Sequence, residues 1–300
     1  MRMGTDHRLG RRRWVAAAIT ASLALSGCGP TVSLSELTGF GTAAASLSRQ
    51  TDLNFLEANR IARVAAVDRF IRSGDTRLAQ NTFEPLITAE VGNDWRSAFE
   101  DLERYGLLLG TLTGDEQRKQ TTAAFRNLGV ELNTGVAGAK ISPGVAAGFS
   151  ALAGTLVEMG AQRRAREILV RTDPQIRTLL EAMAEAIGAS DREGLRGTVA
   201  TAWTTTGGRT QRAYAAAVEA RRDEDARRAI VNEYLALQDR RQAQIASLAG
   251  LRTSLLALAD AHSAAAAGSR RPLGELLGII DARLGEVIAL SKDIEKEVSK

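Results

Sequence analysis

The sequence predicts an all-α fold, and three observations carry that expectation. Apolar residues recur at three- and four-residue steps over long stretches. No segment shows the sustained apolar–polar alternation of a half-buried strand. The chain is also rich in alanine, with only five prolines in 300 residues, so little stands in the way of helix. The expected architecture is an elongated up-and-down helical bundle with very long helices and a Gly/Ala-rich central helical hairpin.

Leu37, Phe40, Ala44, Leu47, Thr51, Phe55, Ala58, Ala62 and Ala65 share one helical face and predict a helix over about 34–72, stopped by Gly74. A longer connection holding Pro85 follows. Trp95, Phe99, Leu102, Tyr105, Leu109 and Leu112 repeat the pattern and predict a second helix over about 94–113. Further along, Asp173-Pro174 reads as an N-cap followed by a first-turn proline, the start of another helix. The longest expected helix runs from about Thr210 to Ala266, with Tyr214, Val218, Ile230, Tyr234, Leu237, Ile245, Leu248, Leu255 and Leu258 along one stripe. Its length would be about 80 Å. Ser33-x-x-Glu36, Thr113-x-x-Glu116 and Ser190-x-x-Glu193 have capping-box spacing. The charged run from Glu219 to Arg241 mixes both signs, as a solvated face with i, i+4 pairs does.

Residues 128–160 differ in composition: seven are glycine, and only Glu131, Lys140 and Glu158 are charged. The expected form is a central hairpin turning at Ile141-Ser142-Pro143-Gly144, where small residues let helices approach closely. A membrane-active hairpin is the alternative, with Gly135, Gly138, Pro143, Gly144, Gly148 and Phe149 as its candidate residues. In architecture only, that alternative resembles helical pore-forming toxins. Neither arm reaches the roughly 20 apolar residues a membrane span needs, which favours the packed form.

At the N-terminus, Arg8 and Arg11 to Arg13 precede an uncharged run from Trp14 to Leu25, followed by small residues. That is the layout of a secretory signal, too short to span a bilayer. Leu25-Ser26-Gly27-Cys28 closes it and resembles the lipobox of bacterial lipoproteins. The resemblance implies cleavage before Cys28 and lipid attached to its sulfur, giving a signal peptide over 1–27, a short tether over 28–33 and a helical domain over 34–300. Several acyl chains hold a protein on a membrane where one binds only marginally. Gly29 in place of aspartate implies outer-membrane placement facing the periplasm in a two-membrane bacterium. Arg12-Arg13 matches a twin-arginine signal only in part, so general secretion is expected.

Removing the signal changes the charge argument. The formal net charge is +4, but residues 1–27 hold five arginines and one aspartate among the 39 basic and 35 acidic side chains, and their loss leaves the two signs equal in number. The basicity belongs to export, and no nucleic-acid partner is expected.

Parts for catalysis are few. Cys28 is the sole cysteine, and His262 is the sole histidine after His7. No His/Cys metal site and no Cys–His pair can be assembled within the processed chain, and no phosphate-loop or nucleophile-elbow motif occurs. On its helix His262 has Leu258 and Ala266 at the i±4 positions, so no local partner is available, and a seam or surface histidine is expected. Glu181 and Glu185 share a helix turn and could hold a cation, although such pairs are common on solvated faces. Neither a cofactor nor a metal is expected. The expected function is a non-catalytic, lipid-anchored envelope scaffold that binds an envelope protein or itself; a membrane-active protein comes second and an envelope enzyme third.

Overall fold

The apolar stripe that begins at Phe40 builds α1 (Leu34–Ser73), a helix of 40 residues and about 60 Å. Phe40, Ala44, Leu47, Phe55, Ala58 and Ala65 are all buried along it. The computed structural model describes residues 34–79, 81–111, 123–124, 126–130, 143–158 and 165–268. These residues are all-α: no strand occurs among them, and besides α1 they form α2 (Ala89–Gly110), α3 (Pro143–Glu158), α4 (Ala165–Ile187), α5 (Gly194–Glu219) and α6 (Glu224–Ala267), with a short helical stretch at 126–130. All belong to one compact unit, Val32–Lys300.

Gly74 ends α1 at φ +68°, the left-handed conformation that favours glycine. The return to α2 is pinned by Asn59, whose amide accepts from Ile87 N at 2.7 Å and donates to Ile87 O at 2.8 Å. Thr88 caps α2 by accepting from Val91 N. The two helices then run antiparallel: Phe55 meets Trp95 edge-on, and Gly41 and Gly106 bring the backbones together. A methyl group on Gly106 would lie 2.5 Å from Gly41 N, so this crossing admits no side chain.

α6 is the longest helix, 44 residues and about 66 Å. α1, α4 and α5 all pack on it. α4 and α5 run in the same direction, end to end against α6: Asp173 of α4 meets His262, whereas Trp203 and Arg209 of α5 meet Gln244 and Glu233. The jog between them turns on Gly188 (φ +100°) and Gly194 (φ +55°), and a Cβ on Gly188 would lie 2.0 Å from Glu193 O. α3 lies antiparallel to α4, with Gly148 against the backbone of Leu179 and Phe149 buried.

Three expectations are corrected by these helices. The predicted helix over 210–266 is two helices, because Asp223 caps α6 by accepting from Ala226 N at 2.7 Å and Arg221 takes φ +48°. Pro174 starts no helix and lies inside α4. The apolar repeat Ile168, Leu169, Ile176, Leu179, Leu180 and Met183 passes straight through it and outweighs the roughly 3 kcal/mol that an internal proline costs. Ser190 forms no capping box, since Glu193 is the N-cap of α5 and its side chain caps nothing. The spacings at Ser33 and Thr113 lie outside the described residues, as do Leu112 and Pro272.

Gly188→Ala should lower stability by about 2 kcal/mol or more, through left-handed strain and the clash with Glu193 O. Gly154 sits in α3 with nothing within 4 Å of an added Cβ, so Gly154→Ala should raise stability by about 0.5–1 kcal/mol. Urea unfolding of both variants checks the pair; equal effects would refute this account of the jog.

Candidate functional site

The buried polar cluster of the bundle centres on His262, which is 2% exposed. α6 carries His262 and Ser263, α4 brings Thr172 and Asp173, α2 brings Tyr105, and α1 lays the edge of Phe40 against the imidazole with ring centroids 5.5 Å apart. His262 Nδ1 lies 2.9 Å from Asp173 Oδ1, and Nε2 lies 2.9 Å from the Tyr105 hydroxyl. Tyr105 also meets Thr172 Oγ1, which lies 2.8 Å from Ile168 O. At the rim Ser263 donates to Asp173 Oδ1 at 2.9 Å, and Arg177 donates to Ser263, Asp260 and Glu181.

Proton bookkeeping fixes the roles. An ionised Asp173 only accepts, so Nδ1–H donates to it, and a neutral imidazole then accepts the Tyr105 hydroxyl proton at Nε2. Thr172 has one proton for three acceptors, Tyr105, Ile168 O and, at 3.4 Å, Leu169 O. Protonating the imidazole would turn the chain over without breaking a contact: Nε2–H would donate to Tyr105, Tyr105 to Thr172 and Thr172 to Ile168 O. Burial opposes this by holding the His262 pKa below its ordinary value, against the hydrogen bond and charge of Asp173, which raise it. Asp173 is itself held low, chiefly by its bond from His262. The Tyr105 pKa is raised by burial.

This cluster joins four helices, and the seal around His262 leaves no face of the imidazole open to a substrate. Trp95 and Tyr105 lie in the core, as their stripe predicted. Trp203 is buried too, and its indole donates to Gln244 Oε1. Glu181 is held by Arg177 at 2.9 Å, while Glu185 lines an open groove with Glu193 and Arg252. Of the hairpin residues, Pro143 and Gly144 are exposed in the first turn of α3, whereas Gly148 and Phe149 face inward. Gly135 and Gly138 lie outside the described residues, as do Leu25, Ser26, Gly27 and Cys28. No described helix is long and apolar enough to cross a membrane.

Sequence reasoning missed the partners of His262 because they lie 89 and 157 residues away, and because Asp173 was assigned to a helix cap. The unbroken repeat through Pro174 was the available signal that Asp173 sits mid-helix, free to reach across.

A second feature lies at the end where α5 meets α6. From 211 to 234 only Ala217 is buried, and Tyr214, Val218 and Val231 stand among the exposed apolar side chains, with Leu235 one residue beyond. Arg228 pairs with Glu224 four residues away, as the mixed charges of this run predicted.

No family model, curated protein or solved structure matches the chain.

The imidazole cluster makes stability depend on pH. Because the folded pKa of His262 lies below its ordinary 6.5, its contribution is complete above 6.5 and is lost as pH falls from there toward the folded value. Asp173, also lowered, adds a second loss below 3.8. Urea midpoints should therefore fall between pH 7.5 and pH 5.0 in the wild type. His262→Gln should cost about 1–3 kcal/mol at pH 7.5 and flatten that dependence. An unchanged slope in the variant would assign the pH effect elsewhere.

Proposed function

We propose that the chain is an exported, lipid-anchored helical scaffold, held on the membrane through Cys28 and offering helix faces to another protein of the cell envelope. Two features support it. Leu25-Ser26-Gly27-Cys28 ends an uncharged run behind a basic start, the layout of a secretory signal closed by a sequence that resembles a lipobox. The observation that carries the scaffold part is the apolar surface at the free end of α5 and α6.

Chain length links the two. Five residues lie between Cys28 and Leu34, a covalent reach of roughly 20 Å, whereas α1 itself runs about 60 Å. Because α6 is antiparallel to α1, Glu233 sits beside Arg209 and Asp68 near the far end of α1, and the exposed pair of helix ends lies beyond it. The exposed ends of α5 and α6 thus lie at the end of α1 opposite its first residue, Leu34. In a two-membrane bacterium the expected address is the outer membrane, facing the periplasm.

The test is intact mass and detergent partitioning of membrane-fraction protein, wild type beside Cys28→Ala, with a photocrosslinking residue at Leu235 in both. A diacyl- or triacyl-sized mass that vanishes in the variant, with a discrete crosslinked product in the wild type, is the expected result. A soluble, unlipidated wild type overturns the anchor. Lipidated protein giving no product from Leu235 overturns the use of this end as a scaffold.

A further inference from the structure

The outward face of α1 carries a pattern that the bundle does not use. Arg49, Leu53, Leu56, Arg60, Arg63 and Val67 follow the 4-3-4-3-4 spacing of a coiled-coil seam, which stops before Phe70, whose ring packs edge-on against Phe83. Burial belongs to the opposite side of the helix, where Phe40, Leu47, Phe55 and Ala58 meet the core. On the seam Leu56 is 70% exposed, with Leu53 and Val67 at 37% each; Ile71, just beside its end, is 70% exposed. The seam spans about 30 Å, the length of a 20-residue helix.

Charge decides what fits it. Asp52 is held by Arg96 through both carboxylate oxygens at 3.2 Å, and Glu57 is held by Arg60 at 2.6 and 2.8 Å. Among the described residues no carboxylate pairs with Arg49 or Arg63, which lie two heptads apart with Leu56 midway between them. The face is therefore apolar with surplus positive charge. On the seam of a second copy the carboxylates Asp52 and Glu57 are again taken by Arg96 and Arg60, so burying the seam against itself would bring Arg49 and Arg63 together with their counterparts and leave charge unpaired. An acidic helix supplies what is missing: apolar residues for Leu53, Leu56 and Val67, and carboxylates that meet the two guanidiniums bidentately.

We propose that the Arg49–Ile71 face of α1 is the docking surface for an acidic amphipathic helix of a partner protein. This assigns a partner class within the scaffold reading and rests on that reading. Recognition follows from register and charge together: heptad-spaced apolar residues enter the gaps of the seam, and flanking glutamates select this face over the mixed-sign surface of α6.

The experiment uses the full lipidated protein in nanodiscs of zwitterionic lipid and two synthetic 24-residue helical peptides with the same leucine heptad, one flanked by glutamate and one by lysine. Fluorescence anisotropy should show the glutamate peptide binding at least ten-fold more tightly. Leu56→Asp should weaken it at least ten-fold, and Arg63→Glu should shift the preference toward the lysine peptide. All these positions are exposed or half-exposed, and circular dichroism verifies that each variant keeps its helix content. Equal affinity for both peptides, binding of neither, or indifference to Leu56→Asp overturns the proposal. So does sedimentation showing a dimer that Leu56→Asp dissociates, which gives the face to a second copy, or binding to anionic vesicles that the same variant abolishes, which gives it to lipid. Lipid mass and the Leu235 crosslink do not involve this face, so its failure leaves the scaffold reading standing.

Discussion

A helix in a folded protein draws most of its stability from packing rather than propensity, and the rest of the bundle follows from how the 44 residues of α6 are covered. No single neighbour matches its length. α4 and α5 therefore divide the work end to end, and α1 runs antiparallel beside them. Leu248, Leu251, Leu255 and Leu258 are fully buried as a result, while no residue from Glu224 to Tyr234 is buried. The same constraint produces the buried core and the exposed end: cover is complete where three helices converge and runs out where one remains. Function, on the reading proposed here, uses the part that the core did not need.

Apolar packing between straight helices tolerates sliding by a turn, so something must fix the register. Polar side chains at the α6 seams do so. Ser247 donates to Asn54 Oδ1 at 2.8 Å between α6 and α1, Trp203 donates to Gln244 between α5 and α6, and Asp173 meets His262 between α4 and α6. A one-turn slip would separate every one of these pairs and strand buried polar groups, each at a cost of about 1–3 kcal/mol. Three such pins on three different interfaces leave α6 one arrangement among its neighbours. The histidine pin is the one that can titrate, and its position among Phe40, Tyr105 and Thr172 gives that titration a structural consequence at the junction of four helices.

How much of this was legible depended on the range of the interaction. Periodicity is local, so the stripe of α1 and that of α2 could be read residue by residue, and Gly74 ended α1 where a left-handed glycine should. The break before α6 was hidden because Arg221 to Asp225 contains neither glycine nor proline; its charges fit an exposed helix as well as they fit a capped turn. Asp173-Pro174 misled for the opposite reason, since a strong local signal for a helix start was overridden by apolar packing on both sides. The His262 cluster was illegible because its members meet only after α2, α4 and α6 are assembled.

The two exposed apolar features have different physical origins, and the difference bears on how each could serve a tethered protein. The α5–α6 end is exposed because neighbours run out, and its charges alternate in sign, which suits contact with many surfaces and discriminates weakly. The α1 seam is exposed along a helix already packed on its other side, so it is rigid before any partner arrives, and little order remains to be imposed on binding. Its surplus charge has one sign, which steers an acidic partner and repels a basic one. Rigidity and single-sign charge both favour specificity, which is why the proposed recognition is assigned to α1 rather than to the α5–α6 end.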